Sequence, residues 1–439
     1  MSKVEDAQKK ALETYDKITK EISTEKIRVL DGDDPVANAI IVERKVLGKG
    51  GECFVYKGKI DISRLTKEGL KQIYIPILTH QKLNGKHSLA EWGEKNEQAK
   101  AEVNKNFKTK ESLEIAVKEA FKEQGIIKGD RADIAVRVSS LPTVNLRDER
   151  AEYVLGMRGD NIVYHIAHGE VANTPYGIIE LMDGILKPSE TVSKSPSYHL
   201  HVLKSIIRGL KRFNELGIVH RDIKPDNIFF RGNHGKPEIK IADFGAYKAD
   251  CLQFNYTTKT GVCIGTPVFM SPEQPADAKH LTHHSDQFST GATMYTLLAD
   301  ENPLGLSQEQ MDNLDLYLIL CHVVNQTHKR KSFVDKKDIQ LEGIERVLAR
   351  MMQKTPTDRY QNYDEILEDI KLVEKKKLPK NSGASLISTV FEQGKYSNHY
   401  NNLYRSIKAG LIGIGVAGAA AAASYYFNIF DSFMKLIKV

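Results

Sequence analysis

The sequence predicts an α+β chain followed by a C-terminal transmembrane helix. Three observations predict it. Two apolar strand-like runs flank a glycine-rich turn within residues 46–58, the pattern of a hairpin. An amphipathic helix at 203–216 runs into a polar stretch of eight residues, His220 to Asn227, which is followed by a second short apolar run ending at Ala242. Residues 409–430 carry no charge, are rich in Gly, Ala, Ile and aromatics, and are bracketed by Arg405, Lys408 and Asp431.

From the front, residues 4–22 place Ala7, Ala11, Leu12, Tyr15, Ile18 and Ile22 at helical spacing among Lys and Glu. This predicts an amphipathic helix docked on the fold. The glycine turn follows in Val46-Leu47-Gly48-Lys49-Gly50-Gly51-Glu52-Cys53-Phe54-Val55. Glycines there let backbone amides approach a phosphate, and an apolar residue such as Val55 covers a base. Residues 61–130 are long and highly charged, and read as a helical insertion in the small lobe.

Two segments compete for the next strand. Ile115-Ala116-Val117-Lys118 carries a lysine, but Leu113, Ala116, Val117, Ala120 and Phe121 recur at helical period, with Thr109 placed to cap the start and Gly125 the end. Ile134-Ala135-Val136-Arg137-Val138 follows a Gly-Asp turn and alternates as a strand does. The strand is therefore assigned to 134–138, which carries Arg137, and the segment with Lys118 to a helix. Residues 146–157 read as a helix that carries Glu149 and Glu152. Residues 176–182 read as an apolar strand entering the connection between lobes.

The chemistry is concentrated in His220-Arg221-Asp222-Ile223-Lys224-Pro225-Asp226-Asn227 and Asp243-Phe244-Gly245. Phosphoryl transfer from ATP requires a carboxylate to orient the attacking hydroxyl, an amide oxygen and a second carboxylate for Mg²⁺, and a cation near the phosphates. Asp222, Asn227, Asp243 and Lys224 supply that set. With these two motifs in register, the glycine turn upstream and Gly265-Thr266-Pro267-Val268-Phe269-Met270-Ser271-Pro272-Glu273 downstream, the chain resembles the eukaryotic-type (Hanks-type) serine/threonine protein kinase family over about residues 38–375.

The resemblance implies a bilobal protein-kinase fold, with a small lobe of twisted antiparallel sheet and one helix and a larger, mainly helical lobe, ATP as phosphate donor, Mg²⁺ with Mn²⁺ as an alternative, and Ser/Thr of a protein as acceptor; Arg137 would be the strand cation, with Lys118 as its rival and Glu149 or Glu152 as its helix partner. Asp222 would be the catalytic base, Lys224 would neutralise the transferring phosphate, and Asn227 and Asp243 would hold the metal. Gly48, Lys49, Gly50, Val55 and Arg137 would bind the nucleotide together with the backbone of Glu180 to Met182, and Ile179 would be the gatekeeper. Thr266 with Lys224 indicates serine/threonine substrates. Arg221 would pair with a phosphate on Thr257, Thr258 or Thr260 if the segment is switched that way. Ser285-Asp286 with Gly291 resembles the buried helix that anchors the catalytic loop, and Arg359 the partner of Glu273. Cys53, Ser271 and Arg137 depart from the family, which has glycine, alanine and lysine at those places. Arginine is planar and bulkier than lysine and does not replace it neutrally at a phosphate site. That departure supports the alternative of a pseudokinase, a nucleotide-binding scaffold.

Composition narrows the remaining classes. A 41% hydrophobic, 27% charged chain of net charge +6 is an ordinary globular composition without a nucleic-acid footprint. Cys53, Cys251, Cys263 and Cys321 have no metal-ligand spacing and fit free thiols in a reducing compartment. Residues 1–20 are charged throughout, so no secretory signal is read. Twenty-two residues from 409 to 430 cover about 33 Å at helical rise, enough for a hydrocarbon core of about 30 Å. Gly413, Gly415 and Gly418 inside it form a G-x-G-x-x-G with no strand before it, read as helix-packing positions rather than a phosphate cradle. Arg405 and Lys408 place the catalytic unit on the cytosolic side of a single-pass membrane protein. The expected order is thus an N-terminal helical extension (1–37), a kinase domain (38–375), a polar linker (376–408) and the transmembrane helix (409–430).

Overall fold

The computed structural model describes residues 3–21, 28–50, 53–83, 89–139, 161–215, 217–233, 235–242, 267–274, 281–301, 303–304, 330–332, 338–379 and 391–392. The chain divides into two compact units, Met1–Phe391 and Glu392–Val439, and both lobes belong to the first. The predicted span at 409–430, the helix at 146–157 with Glu149 and Glu152, Asp243 to Gly245, the candidate acceptors Thr257, Thr258 and Thr260, and Gly265 with Thr266 lie outside the described residues. Among the described residues no helix is long and apolar enough to cross a membrane.

The first lobe contains α1 (Lys3–Ile18), β1 (Thr19–Glu21), β2 (Arg28–Leu30), β3 (Ile40–Gly50), β4 (Cys53–Asp61), α2 (Lys67–Lys82), α3 (Leu89–Asn106), α4 (Lys110–Glu123), β5 (Ile127–Lys128), β6 (Arg131–Ser139), β7 (His165–Val171) and β8 (Thr174–Glu180). Its strands form one antiparallel sheet in the order β1-β2-β3-β4-β6-β8-β7, with β5 paired to β6. The two-residue period of a strand decides which face is sealed. Phe54, Tyr56 and Ile60 of β4 and Ile134, Val136 and Val138 of β6 share one face. They are buried with Ala11, Tyr15 and Ile18 of α1 and with Leu70, Ile73, Val103, Leu113, Val117 and Phe121 of the insertion helices. Val55, Arg137 and Ile179, which fall on the other face, are only half-buried.

The N-terminal helix docks as its periodicity predicts, although it is shorter. Tyr56 Oη donates to the Ala11 carbonyl at 2.6 Å and Tyr15 Oη to the Val42 carbonyl at 3.1 Å, with the two rings 5.4 Å apart. Burial, with Tyr15 and Asp16 nearby, pushes the Tyr56 phenol up to about 12, so it remains a donor. The helix stops at Ile18 instead of reaching 22 because the chain turns into β1, whose Thr19 pairs with Leu30. Arg28 secures the turn by donating to both Thr19 Oγ1 and the Thr19 carbonyl. Leu12, assigned to the apolar stripe, is instead 41% exposed.

The insertion is helical, as its composition predicts. Thr109 caps α4 by accepting from the Ser112 amide at 3.2 Å, and Gly125 follows the helix with φ +67°, a left-handed conformation that glycine adopts without a Cβ penalty. Leu83 and Trp92, flanking the α2–α3 connection, are buried with the core of the second lobe.

That second lobe contains β9 (Gly184–Ile185), α5 (Pro188–Thr191), α6 (Pro196–Glu215), β10 (Ile228–Arg231), β11 (Glu238–Ile241), α7 (His283–Ala299), α8 (Ile339–Met351) and α9 (Tyr363–Glu374). The core is formed by α6, α7, α8 and α9, with α7 apolar or small almost all round and buried from Ser285 to Leu298. Helix α6 begins before 203 because Ser195 Oγ accepts from the Tyr198 amide at 3.3 Å and opens the first turn. It ends where Gly217, at φ +72°, lets the Ile218 amide reach back to the Phe213 carbonyl at 2.9 Å.

His199 lies on the buried side of α6, 1% exposed, its ring edge-on to Tyr198. Burial, partly opposed by the Thr191 backbone, pushes the imidazole down to about 4 from an ordinary 6.5. The folded state therefore binds the proton more weakly than the unfolded state, and stability present above pH 6.5 is lost as the pH falls toward 4. The full shift corresponds to about 3 kcal/mol. Urea unfolding at pH 7 and pH 4.5 should show His199→Leu losing less stability between the two than the parent chain; equal losses would rule the histidine out as a source of acid sensitivity.

Candidate active site

The polar stretch after α6 is held by a buried carboxylate. Asp286, near the start of α7 and 1% exposed, accepts the amides of His220 and Arg221, both at 2.8 Å. Burial raises its carboxyl above the usual value, opposed by His220 and by those two amides. Arg221 sits at φ +69°, a conformation that costs a non-glycine residue about 1–3 kcal/mol. Its carbonyl accepts from Gln274 Nε2 at 2.8 Å, so both sides of the strained peptide are tied. His220, fully buried, accepts the Asp222 amide on Nδ1 at 3.3 Å and contacts the Ala242 carbonyl through Nε2 at 3.0 Å. Those partners require the neutral tautomer protonated at Nε2.

This frame brings Asp222, Lys224 and Asn227 together as predicted. Asn227 Nδ2 donates to the Asp222 carbonyl at 2.7 Å and to its Oδ2 at 3.0 Å, and Lys224 Nζ lies 3.3 Å from the same Oδ2. With its NH₂ committed to Asp222, Asn227 keeps Oδ1 as an acceptor, the atom that suits a hard cation. The Asn227 carbonyl accepts the Ala242 amide at 2.9 Å, so the end of this loop and the residue before Asp243 are bonded to each other. Asp243 itself lies outside the described residues.

A further apolar cluster stands apart from both lobe cores and includes Met182 and Ile179, two of the residues expected on the nucleotide side. Val163, Met182 and Ala242 are buried together, with Ile179 and Phe229 packed against them. Along the run from Glu180 to Asp183, the Glu180 amide bonds the Tyr164 carbonyl at 2.9 Å, the Leu181 amide the Asp133 carbonyl at 3.4 Å and the Asp183 amide the Phe230 carbonyl at 2.9 Å. The Met182 amide has no acceptor among the described residues. The nucleotide contribution expected from the Glu180 to Met182 backbone therefore narrows, because the Glu180 amide is not available as a donor. Val163, Phe229 and Ala242 were not singled out from sequence; their signal is position, two residues past Asn227 for Phe229 and immediately before Asp243 for Ala242.

On the sheet, β3 and β4 stay paired through Gly48↔Val55, Lys49↔Phe54 and Gly50↔Cys53, with register shifts between Val42 and Val46 and between Val46 and Gly48. Arg137 is placed on β6 between Val55 of β4 and Gly177 of β8, and a Cβ added at Gly177 would meet nothing within 4 Å. Val55 and Arg137 thus share the open face with Ala135 and Ile179, one strand apart. Lys118 is not a rival on this face: it projects from α4 and pairs with Glu114 at 2.8 Å and Asp130 at 2.7 Å, which raise its pKa.

A second anchoring point lies under the segment 267–273. Arg359, fully buried, donates Nη1 and Nη2 to the two carboxylate oxygens of Glu273 at 2.7 and 2.9 Å and to the carbonyls of His284 and Lys354, and Nε to the carbonyl of Gln353. Burial works against ionisation of Glu273, yet the Arg359 fork and the Ser285 hydroxyl hold its carboxyl below the usual value. Ser271, standing where an alanine was expected, is accommodated by donating to Ser285 Oγ at 3.0 Å.

A family model described as "Protein kinase domain" matches residues 99–370, starting inside α3. Among curated relatives, a probable serine/threonine-protein kinase PknB of Corynebacterium glutamicum is 29% identical over 193 residues, 43% of this chain and 26% of that one. A probable serine/threonine-protein kinase of Streptomyces coelicolor is 28% identical over 254 residues, 56% of this chain and 35% of that one. Serine/threonine-protein kinase PknL of Mycobacterium tuberculosis is 32% identical over 138 residues, 31% of this chain and 33% of that one. The chain thus spans about a quarter to a third of the length of these relatives. The solved structure of Rad53 1-466 in complex with AMP-PNP aligns over 76% of this chain and 65% of its own at 15% identity with a TM-score of 0.46, too loosely to position individual residues.

Removing one partner of a buried, fully hydrogen-bonded ion pair leaves an uncompensated charge and costs about 3–5 kcal/mol. Arg359→Met should therefore lower the urea-unfolding free energy by about that amount at pH 7, and Arg359→Met/Glu273→Leu, which removes both charges, should recover part of it.

Proposed function

This chain belongs to the protein kinase family, and on that footing we propose that it transfers the γ-phosphate of ATP to serine or threonine hydroxyls of a protein. The observation that carries the reading is Asp222 with its two partners, Asn227 Nδ2 at 2.7 and 3.0 Å and Lys224 Nζ at 3.3 Å. In this reading Asp222 accepts the acceptor hydroxyl's hydrogen bond and orients its lone pair on the γ-phosphorus. Lys224, next to Asp222, offsets charge on the transferring group. Asn227 through Oδ1, with Asp243, would hold Mg²⁺, which would neutralise charge on the phosphates. Val163, Met182, Phe229, Ala242 and Ile179 exclude water around the base, with Val55 and Ala135 above it.

Arg137 takes the phosphate-facing position of the strand cation. Its charge suits the α- and β-phosphates, while its planar fork demands a different spacing from an ammonium. The same substitution is what would favour a nucleotide-binding scaffold, so the two readings separate on turnover. The sequence of 405–431 supports anchoring of this unit to a membrane through 409–430, with the catalytic lobes on the cytosolic side.

Phosphate transfer from labelled Mg-ATP to the chain itself and to a generic basic protein tests the proposal. Asp222→Asn should lower transfer by about 10²–10⁴-fold, the range for losing a positioned general base. Arg137→Ala should abolish transfer, and Lys118→Ala should leave it unchanged. A parent chain that binds ATP without turnover would establish the scaffold instead.

A further inference from the structure

Beyond the Gly48 to Gly50 turn, the small-lobe sheet holds glycines at Gly58 of β4, Gly169 of β7 and Gly177 of β8, and they are not equivalent. For the first two, packing is the reason. A Cβ at Gly58 would come within 2.6 Å of the Ile41 carbonyl, and one at Gly169 would run into the Asp34 carboxylate and stand 2.6 Å from Tyr176 Oη. Gly177 has no such reason: among the described residues a Cβ there would meet nothing within 4 Å. Nor does its backbone require glycine, since the left-handed conformation belongs to Gly125, Gly129, Gly217 and Gly232 among the described glycines. A glycine inside a strand loses more backbone entropy than any other residue and packs nothing, so the sheet alone would be served better by a side chain at this position.

The neighbours of Gly177 supply a different reason. Strand β8 lies between β6 and β7, and Gly177 pairs with Arg137 on one side and with His168 on the other. Val55 of β4 pairs with Arg137 from its far side. Directly opposed residues project from the same face of a sheet, so Val55, Arg137, Gly177 and His168 form one row across the open side. Ile179, two residues along β8, falls on that face as well. Within the row, Arg137 therefore has a branched apolar side chain on one flank and none on the other. Opposed Cβ atoms stand about 4.5–5.5 Å apart, close enough for a side chain at position 177 to take space that the Arg137 stem and guanidinium would otherwise use.

We propose that Gly177 is a positioning residue coupled to Arg137, clearing the lateral room in which a guanidinium, in place of an ammonium, settles against the phosphates of ATP. The proposal deepens the phosphate-transfer reading and rests on Arg137 as its phosphate cation. A lysine presents a compact charge on a flexible stem and needs no width at its tip, whereas an arginine presents a rigid planar fork of five donors and does. With Val55 as a wall on one side, a second wall at 177 would confine the fork to a single plane. Glycine leaves the stem free to lean over β8, so the phosphate oxygens set the plane of the fork and can accept from it in pairs. The arginine and the glycine are then one feature of this chain, and the departure from lysine is compatible with turnover.

A double-mutant cycle on the full chain tests the coupling, with Gly177→Val, Arg137→Lys and the two combined. Inorganic tripolyphosphate probes the phosphate end and adenosine the base end, both by calorimetry, and urea unfolding reports on the fold. Gly177→Val should weaken tripolyphosphate binding about tenfold or more and slow transfer from Mg-ATP about 10²-fold, the scale on which small misplacements act, while adenosine affinity stays within about twofold. Its unfolding midpoint should hold or rise, because valine suits a strand better than glycine. In the Arg137→Lys background the same valine should change tripolyphosphate affinity by no more than about twofold, since an ammonium does not need the room. An equal loss in both backgrounds, or no loss from Gly177→Val, would overturn the proposal. Tripolyphosphate binding that survives Arg137→Ala would overturn it too, and would leave the transfer reading standing if Asp222→Asn still abolishes turnover. Should valine lower the unfolding midpoint, Gly177→Ala repeats the cycle with a single added methyl group. A parent chain that binds tripolyphosphate without transferring phosphate ends the transfer reading, while coupling between positions 137 and 177 still supports the pairing; a parent chain that does not bind it overturns the pairing.

Discussion

Everything at the candidate site depends on one buried carboxylate accepting two successive backbone amides. Asp286 holds His220 and Arg221 in a conformation that Arg221, at φ +69°, would not adopt unaided. Asn227 closes the loop on Asp222, His220 bonds Ala242, and Gln274 bonds the Arg221 carbonyl. Helix α7 is buried along most of its length, so the anchor is part of the large-lobe core. The site thereby inherits the rigidity of that core.

A second constraint acts on the small lobe. A single sheet of this size with one bare apolar face would not be stable alone. Here α1 and the helices of the insertion cover that face, burying Phe54, Tyr56, Ile60, Ile134, Val136 and Val138. The insertion is therefore a structural roof on the side of the sheet away from Val55 and Arg137. Close approach is built into this packing: Gly58 lies so near the Ile41 carbonyl that a Cβ would come within 2.6 Å of it. The roof, the sheet and the connection through Glu180 form a chain of contacts from the N-terminal helix to the catalytic hairpin.

The lobes are joined by more than the covalent connection. Asn161 donates to the Ile239 carbonyl and accepts the Ile241 amide, and the Val163 amide bonds the Ile241 carbonyl, so the strand entering the small-lobe sheet is stitched to β11. Gly209 of α6 permits this, since a Cβ there would stand 2.7 Å from the Asn161 carbonyl. Leu83 and Trp92 add an apolar contact from the insertion.

By itself, the sequence determined the features that depend on local pattern. Alternation placed Arg137 on a strand, helical period with the Thr109 cap and Gly125 placed Lys118 on a helix, and the eight-residue loop motif placed Asp222, Lys224 and Asn227 in one turn of chain where their spacing forces contact. The Glu273–Arg359 pair was legible too, because each residue sat within its own motif. Only the tertiary structure decided what depends on distant segments meeting. It set the end of α1 at Ile18 through Arg28 and β1, occupied the Glu180 amide with Tyr164, gathered Val163, Phe229 and Ala242 around Met182, and turned the Glu180 side chain away from the nucleotide into ion pairs with Arg231 and Lys240. Glutamate, arginine and lysine on exposed-looking strands carry no periodic signal for such a pairing. Their partners lie 51 and 60 residues along the chain, and only the folding of β10 and β11 beneath the lobe connection excludes the water that would otherwise solvate them.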